Sequence, residues 1–261
     1  MNRRRFLQAT TAAAGTLPTL ATAANTLSEA AAPKRLRVIC VGAHPDDPES
    51  GCGGSLKLYV DEGQEVMAVY LTRGEAGIPG TPHDQAATIR TAECEAACRL
   101  LGVQPYFAGQ IDAATEITPR AAEAFAELLV KLNPDVVLAQ WPLDTHNDHA
   151  IAGTLALRTC LSKLPKASLY FYEVYTGFQT LAFHPTDYVD ITTTRDLKKR
   201  ATYEHKSQKP ETWYPHHEEM EKFRGAEAQV TAAEAYVRLP LLSKGTPARL
   251  LPPTLERLRK P

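Results

Sequence analysis

Short apolar runs alternate along the chain with longer stretches whose apolar positions recur at helical spacing. Leu36–Ala43, Glu65–Thr72 and Asp135–Gln140 have the pattern of strands buried on both faces, Leu169–Thr176 reads as a fourth strand, and Pro105–Gly109 as a short one. Between them, Gly51–Glu62 fits a helix stopped by Gly63, and Asp84–Leu101 a helix stopped by Gly102. Pro119–Leu132 fits a helix opened by proline in its first turn, and His146–Leu164 fits another. Repeated strand–helix units predict an α/β fold: a mostly parallel sheet with helices on both faces, three layers in all. The assignment reaches as far as Thr176. No internal repeat interrupts it, and a single domain is expected over residues 35–261.

The first residues do not share this pattern. Arg3-Arg4-Arg5-Phe6-Leu7 is followed by an Ala/Thr/Leu/Gly stretch ending in Ala21-Thr22-Ala23, so residues 1–23 have the basic start, apolar middle and small-residue cleavage site of an export signal. The arginines resemble the twin-arginine leader that sends folded proteins across a bacterial inner membrane, which makes the export machinery an expected partner and the periplasm the expected address. The stretch is short and broken by Pro18, so no stable membrane span is expected. Residues 24–34 read as a linker.

Composition narrows the classes without naming a function. With 261 residues, 44% hydrophobic and 23% charged, the chain is neither disordered nor fibrous. Its 29 Lys+Arg against 30 Asp+Glu give a formal net charge of -1, without the basic surplus of a nucleic-acid partner. Setting aside the three leader arginines leaves 26 basic residues against 30 acidic ones, a mildly acidic domain. Five cysteines cannot all pair; Cys40, Cys52, Cys94, Cys98 and Cys160 read as small buried apolar residues.

In parallel sheets, ligands sit outside the carboxyl ends of the strands. After the first strand comes Ala43-His44-Pro45-Asp46-Asp47-Pro48-Glu49-Ser50, and after Asp135–Gln140 comes Trp141-Pro142-Leu143-Asp144-Thr145-His146-Asn147-Asp148-His149. His44 and Asp47 are three apart, as are His146 and His149, which puts each pair on one face of a helical turn. His44, Asp47 and His149 make three N/O ligands and leave a position open, the mark of a catalytic metal site. The ligand types suit Zn²⁺, with Fe²⁺, Co²⁺ and Mn²⁺ also able to bind. Asp46, turned off the metal face, is placed to accept a proton from water; His146, oriented by Asp148, is placed to act as imidazolium on a developing oxyanion.

These residues also carry a family resemblance. Ala43-His44-Pro45-Asp46-Asp47-x-Glu49, followed by Gly53-Gly54, resembles the signature of the PIG-L/LmbE-like zinc-dependent N-deacetylases, and His146-Asn147-Asp148-His149 resembles their His-Pro-Asp-His motif. The likeness continues through Leu71-Thr72-Arg73-Gly74-Glu75, Arg90-x-x-Glu93, Leu101-Gly102-Val103 and Asn133-Pro134-Asp135-Val136-Val137. It resumes in His205-Lys206-Ser207-Gln208 and Ala233-Glu234-Ala235-Tyr236, so that it spans most of residues 36–238. The resemblance implies a Rossmann-like fold, Zn²⁺ on His44, Asp47 and His149, Asp46 as general base, and His146, backed by Asp148, either at the oxyanion or as the acid; the amine leaves protonated by Asp46 or His146. The implied reaction removes the N-acetyl group from an N-acetylglucosamine-type sugar or conjugate. The departures are Asn147 in place of proline and Thr145 where some members carry arginine; the second bears on which sugar is recognised.

Arg73 and Glu49 are the candidate substrate-binding residues, Glu49 with the alternative of supporting the first loop. His205 and Gln208 read as structural, and His83, His184, His216 and His217 as surface histidines. Three rivals remain: another zinc amide hydrolase, such as a thiol-conjugate amidase; a non-catalytic exported carbohydrate-binding protein; and a nucleotide-binding enzyme. The last is disfavoured because Gly51-x-Gly53-Gly54 is not G-x-G-x-x-G and follows three acids. The sequence leaves the oligomeric state open, a homo-oligomer included.

Overall fold

β1 (Arg37–Gly42) lies inside the sheet, with β2 (Glu65–Tyr70) on one side and β4 (Val136–Gln140) on the other, both parallel to it. Ile39 lies level with Met67 of β2 and Val137 of β4. This computed structural model describes residues 35–239, so the expected leader (1–23) and linker (24–34) lie outside the described residues. β3 (Gln104–Phe107) extends the sheet beyond β2 and β5 (Ser168–Tyr172) beyond β4, again in parallel. β7 (Ala233–Arg238) then pairs antiparallel with β5 and with β6 (Asp187–Asp190). The seven strands run in the order β3-β2-β1-β4-β5-β7-β6.

Alternate residues of β1 serve opposite faces, as a strand period of two requires. Val38 and Cys40 pack with Leu56 and Tyr59 of α1 (Asp47–Asp61) and Cys94 of α2 (His83–Leu101). Ile39 and Val41 pack with Phe125 and Leu129 of α3 (Pro119–Leu132) and Leu155 of α4 (Asn147–Ser162). The layered α/β architecture expected from the pattern is therefore the one observed. All five cysteines are buried and unpaired.

α3 spans the expected residues: the Thr118 hydroxyl accepts from Ala121 N–H at 3.2 Å, and proline occupies the first turn. α1 begins four residues before the expected Gly51. Pro48 fits the first turn, where its missing N–H costs nothing, and Asp47 and Glu49 face the positive end of the helix dipole. Gly51 and Gly54 belong to packing rather than to a nucleotide loop. A Cβ on Gly51 would sit 2.5 Å from the Tyr172 ring, and one on Gly54 2.6 Å from Ile191.

Beyond β5 the structure adds what the pattern did not assign: β6, β7, α5 (Arg195–Thr202), two 3-10 turns at Lys206–Gln208 and Pro210–Thr212, and α6 (Tyr214–Ala228). Polar ties hold this part to the rest. Ser207 donates from N and Oγ to Glu93 of α2, both at 2.7 Å, and Lys198 reaches Glu221 at 3.0 Å and Glu234 at 2.8 Å. Among the described residues no helix is long and apolar enough to cross a membrane.

Candidate metal centre

After β3 the chain returns across β1 to build β4, so the strand order reverses between β1 and β4. The loops that follow these two parallel strands lead to helices on opposite faces of the sheet, and the gap between them is where such sheets bind ligands. Gln140 closes the bottom of the gap, its Oε1 accepting from Ala43 N–H at 2.8 Å.

Asp47 stands at the centre. Its carboxylate lies 3.4 Å from His44 Nδ1 and 3.3 Å from His149 Nε2, and all three residues are buried. The far side of each ring meets other carboxylates. His44 Nε2 is 3.1 Å from both Asp112 and Asp148, and His149 Nδ1 is 3.3 Å from Asp144. Both nitrogens of each ring therefore face a carboxylate. Ligand atoms of His44, His146 and His149, and those of His44, Asp112 and Asp148, lie within 4.8 Å of one another. These donor sets suit a divalent metal, and Asp47 stands between His44 and His149 as a further oxygen donor.

The electrostatics agree. Burial opposes a charged His149 ring, yet Asp47 and Asp144 raise it to about 9. The His44 ring is likewise held well above the usual imidazole range by Asp112, Asp148 and Asp47 against its burial. Asp47, although buried, is held well below the usual carboxylate range by His149 and His44. His146 brings a third ring into the group, stacked on His149 with centroids 4.6 Å apart.

Asp46 caps α1 from a left-handed conformation, φ 117°, with no capping bond from its side chain. Its carboxylate instead accepts from Arg90 Nη2 at 2.8 Å, and the same guanidinium also holds the Pro45 carbonyl. Burial raises Asp46 to about 6, against the pull of Arg90. A carboxylate poised near neutrality can both take and return a proton.

Two details of the expected site change. Asp148 does not reach the His146 ring with its carboxylate, which accepts from Thr115 Oγ at 2.6 Å and Ala113 N–H at 2.9 Å and lies against His44. Its backbone N–H meets His146 Nδ1 at 3.3 Å, which leaves Nε2 to carry the ring proton. Burial and the neighbouring His44 and His149 rings lower His146 from the usual imidazole range, a direction that runs against the expected imidazolium.

These groups open into a cavity of about 440 Å³. Neither expected substrate residue lines it. Arg73 is turned onto α2, where its Nε donates to Thr91 Oγ at 3.0 Å, and Arg90 faces the cavity instead. Glu49 points behind α1, accepting from Tyr70 OH at 2.8 Å and lying 3.2 Å from His205 Nε2; this is the supporting role given as its alternative.

The opposite wall is built from Tyr175 and Gln179, which follow β5, and from Gln208, Trp213 and His217. His217, expected at the surface with His83, His184 and His216, is only 1% exposed, whereas the other three are exposed. Asp112 was equally missed, although it follows β3, where the strand-end rule would have pointed. Arg90 is marked in the sequence only through the Arg90-x-x-Glu93 resemblance, with no role assigned, because its helical periodicity does not separate it from a solvated arginine.

A mostly parallel α/β sheet with a cavity and a His/Asp cluster able to hold a metal at its switch point has the form of an enzyme's small-molecule site. The family model described as PIG-L, GlcNAc-PI de-N-acetylase, matches residues 39–160. Diacetylchitobiose deacetylase of Thermococcus kodakarensis is 28% identical over 198 residues, 69% of this chain and 74% of that protein. Among solved structures, N,N'-diacetylchitobiose deacetylase from Pyrococcus horikoshii aligns with a TM-score of 0.71 at 29% identity, covering 79% of this chain and 84% of that one. A conserved protein from Thermus thermophilus aligns with a TM-score of 0.70 at 30% identity, covering 82% of this chain and 99% of that one. The chain belongs to the PIG-L family.

Proposed function

We propose that this protein is a metal-dependent N-deacetylase that hydrolyses the acetamide of an N-acetylglucosamine-type sugar. The observation that carries the reading is Asp47 shared between His44 and His149, with Asp46 and His146 on either side, at the floor of a sugar-sized cavity. Family membership and the names of its deacetylase relatives support the same reaction.

A metal on His44, Asp47 and His149, Zn²⁺ by ligand type, would supply Lewis-acid polarisation and make water more acidic. Asp46 accepts a proton from the attacking water as its oxygen bonds to the acetamide carbon. His146 donates Nε2–H to the oxygen that gathers negative charge. When the C–N bond breaks, the proton held by Asp46 passes to the departing nitrogen, giving acetate and the free amine. Arg90 fixes the Asp46 carboxylate throughout.

Acetate release from N-acetylglucosamine tests the reading: it should be lost on chelation and restored by zinc. His44→Ala and Asp47→Ala should each lose bound metal. Asp46→Asn should keep the metal and lose turnover by about 10²- to 10⁴-fold, the range of general acid–base catalysis. Full metal occupancy in both ligand variants would overturn the ligand set, and release indifferent to chelation would overturn metal dependence. The leader extends the reading to an exported enzyme. Replacing Arg3, Arg4 and Arg5 by lysine should retain the chain in the cytoplasmic fraction; unchanged fractionation would count against this route.

A further inference from the structure

Two thiols and a carboxylate come together between α1 and α2, apart from the catalytic cavity, which none of them lines. Cys94 and Cys98 stand one turn apart on α2, so a single helix face presents both sulfurs. A carboxylate oxygen of Glu49, on the first turn of α1, completes a group whose ligand atoms all lie within 4.8 Å of one another. All three residues are buried. The contacts of Glu49 are lopsided. Tyr70 OH donates to its Oε1 at 2.8 Å and His205 Nε2 lies 3.2 Å from the same oxygen, while Oε2 is buried with no partner. Tyr70 OH also lies 3.3 Å from Cys98 Sγ, and His205 Nδ1 has no partner either. A bare carboxylate oxygen in the interior is costly, and cysteines packed only as small apolar residues do nothing to offset it.

We propose that Cys94, Cys98 and Glu49 form a second metal site, which takes Zn²⁺ as a structural ion. Thiolate ligands hold zinc and turn away magnesium and calcium. Buried and separate from the cavity, the group has the closed form of a structural site, whereas the catalytic centre opens to solvent. Loading is an exchange: two S–Zn bonds replace two S–H bonds, and both thiol protons leave to solvent. Glu49 gains the partner its Oε2 lacks, and His205, against the same carboxylate, offers a nitrogen for the fourth position. The ion ties α1, which carries Asp47 and is capped by Asp46, to α2, whose Arg90 clamps Asp46. A disulfide between Cys94 and Cys98 would consume the sulfurs and leave Glu49 Oε2 as bare as before. The site stands independently of the deacetylase reading.

The full chain is produced in medium supplied with Co²⁺, which occupies zinc sites and gives a near-ultraviolet charge-transfer band where sulfur binds it. Wild type should show that band and carry roughly two cobalt ions per chain, one for each site. Cys94→Ala and Cys98→Ala should each abolish the band and lose about half the metal. His44→Ala should keep the band and lose the other half. Cys160, a buried thiol of α4 packed on the opposite face of the sheet, is the control: Cys160→Ala should keep both band and metal. A band with only about one cobalt per chain in wild type would count against the metal of the catalytic cavity and leave this site standing. No band in wild type would overturn the site without recourse to any variant. So would a band that survives in both cysteine variants, or one lost equally in Cys160→Ala.

Discussion

At the scale of single residues, the site works by giving each polar group two neighbours of opposite need. Asp144 illustrates this: it accepts from His146 N–H at 2.8 Å and lies against His149 Nδ1, so it orders both halves of the second loop. Asp144→Ala should weaken metal binding about 10- to 100-fold without touching a ligand, as measured by competition with a chelator; unaltered affinity would count against it. His217 makes a different prediction. Burial, then the charge of Lys198, lower it to about 3, so it is neutral in the fold at any working pH. A free imidazole titrates near 6.5, so as pH falls the unfolded chain takes up this proton before the folded one does. Stability is then lost through the window from about 6.5 down to about 3. Between pH 7.5 and 5 the wild type should lose about 2 kcal/mol more than His217→Gln, read from denaturant unfolding at both pH values. The two loop clusters were legible because His44 and Asp47, like His146 and His149, are near in sequence; that His149 meets Asp47 was decided by the fold. The role of Arg90 was not legible: it reaches Asp46 across 44 positions, a distance at which the pattern carries no information.

At the scale of elements, α1 is the part on which the site depends. It carries Asp47 on its first turn and Asp46 at its cap, and its glycines let it lie against Tyr172 and Ile191. In an isolated helix, Gly51→Ala would be favourable by about 1 kcal/mol. Here the added methyl meets the Tyr172 ring at 2.5 Å, so the variant should instead be destabilised by about 1–3 kcal/mol, measured as a lower urea midpoint. A gain in stability would show that the contact is not limiting. The strands β1 to β5 and the helices between them were readable as elements because apolar run and helical period contrast there. β7 and β6 were not. They lie antiparallel at one edge of the sheet, with Glu234 and Asp187 buried among their residues, which breaks the apolar signature of a strand.

At the scale of the whole molecule, the late elements complete an enclosure that the parallel sheet begins. Lys198 of α5 is fully buried between Glu221 of α6 and Glu234 of β7, and Glu234 also accepts from Gly54 and Ser55 N–H of α1 at 2.9 Å each. This one ammonium therefore links the four elements that meet behind the site. Lys198→Met should leave buried Glu234 without its cation and Glu221 with Arg195 alone, at a cost of about 3–5 kcal/mol and a fall in Tm of about 10 °C. An unchanged Tm would show that the network contributes nothing net. The Rossmann-like frame and the two His/Asp clusters were legible in the sequence alone, because strand period and the spacing of His and Asp act within a few residues. Which groups face that chemistry was decided only by the tertiary structure. Asp112, Arg90, Tyr175 and His217 come from four separate segments, and the physical reason they meet is that each follows a different strand or packs on a different helix around the switch point.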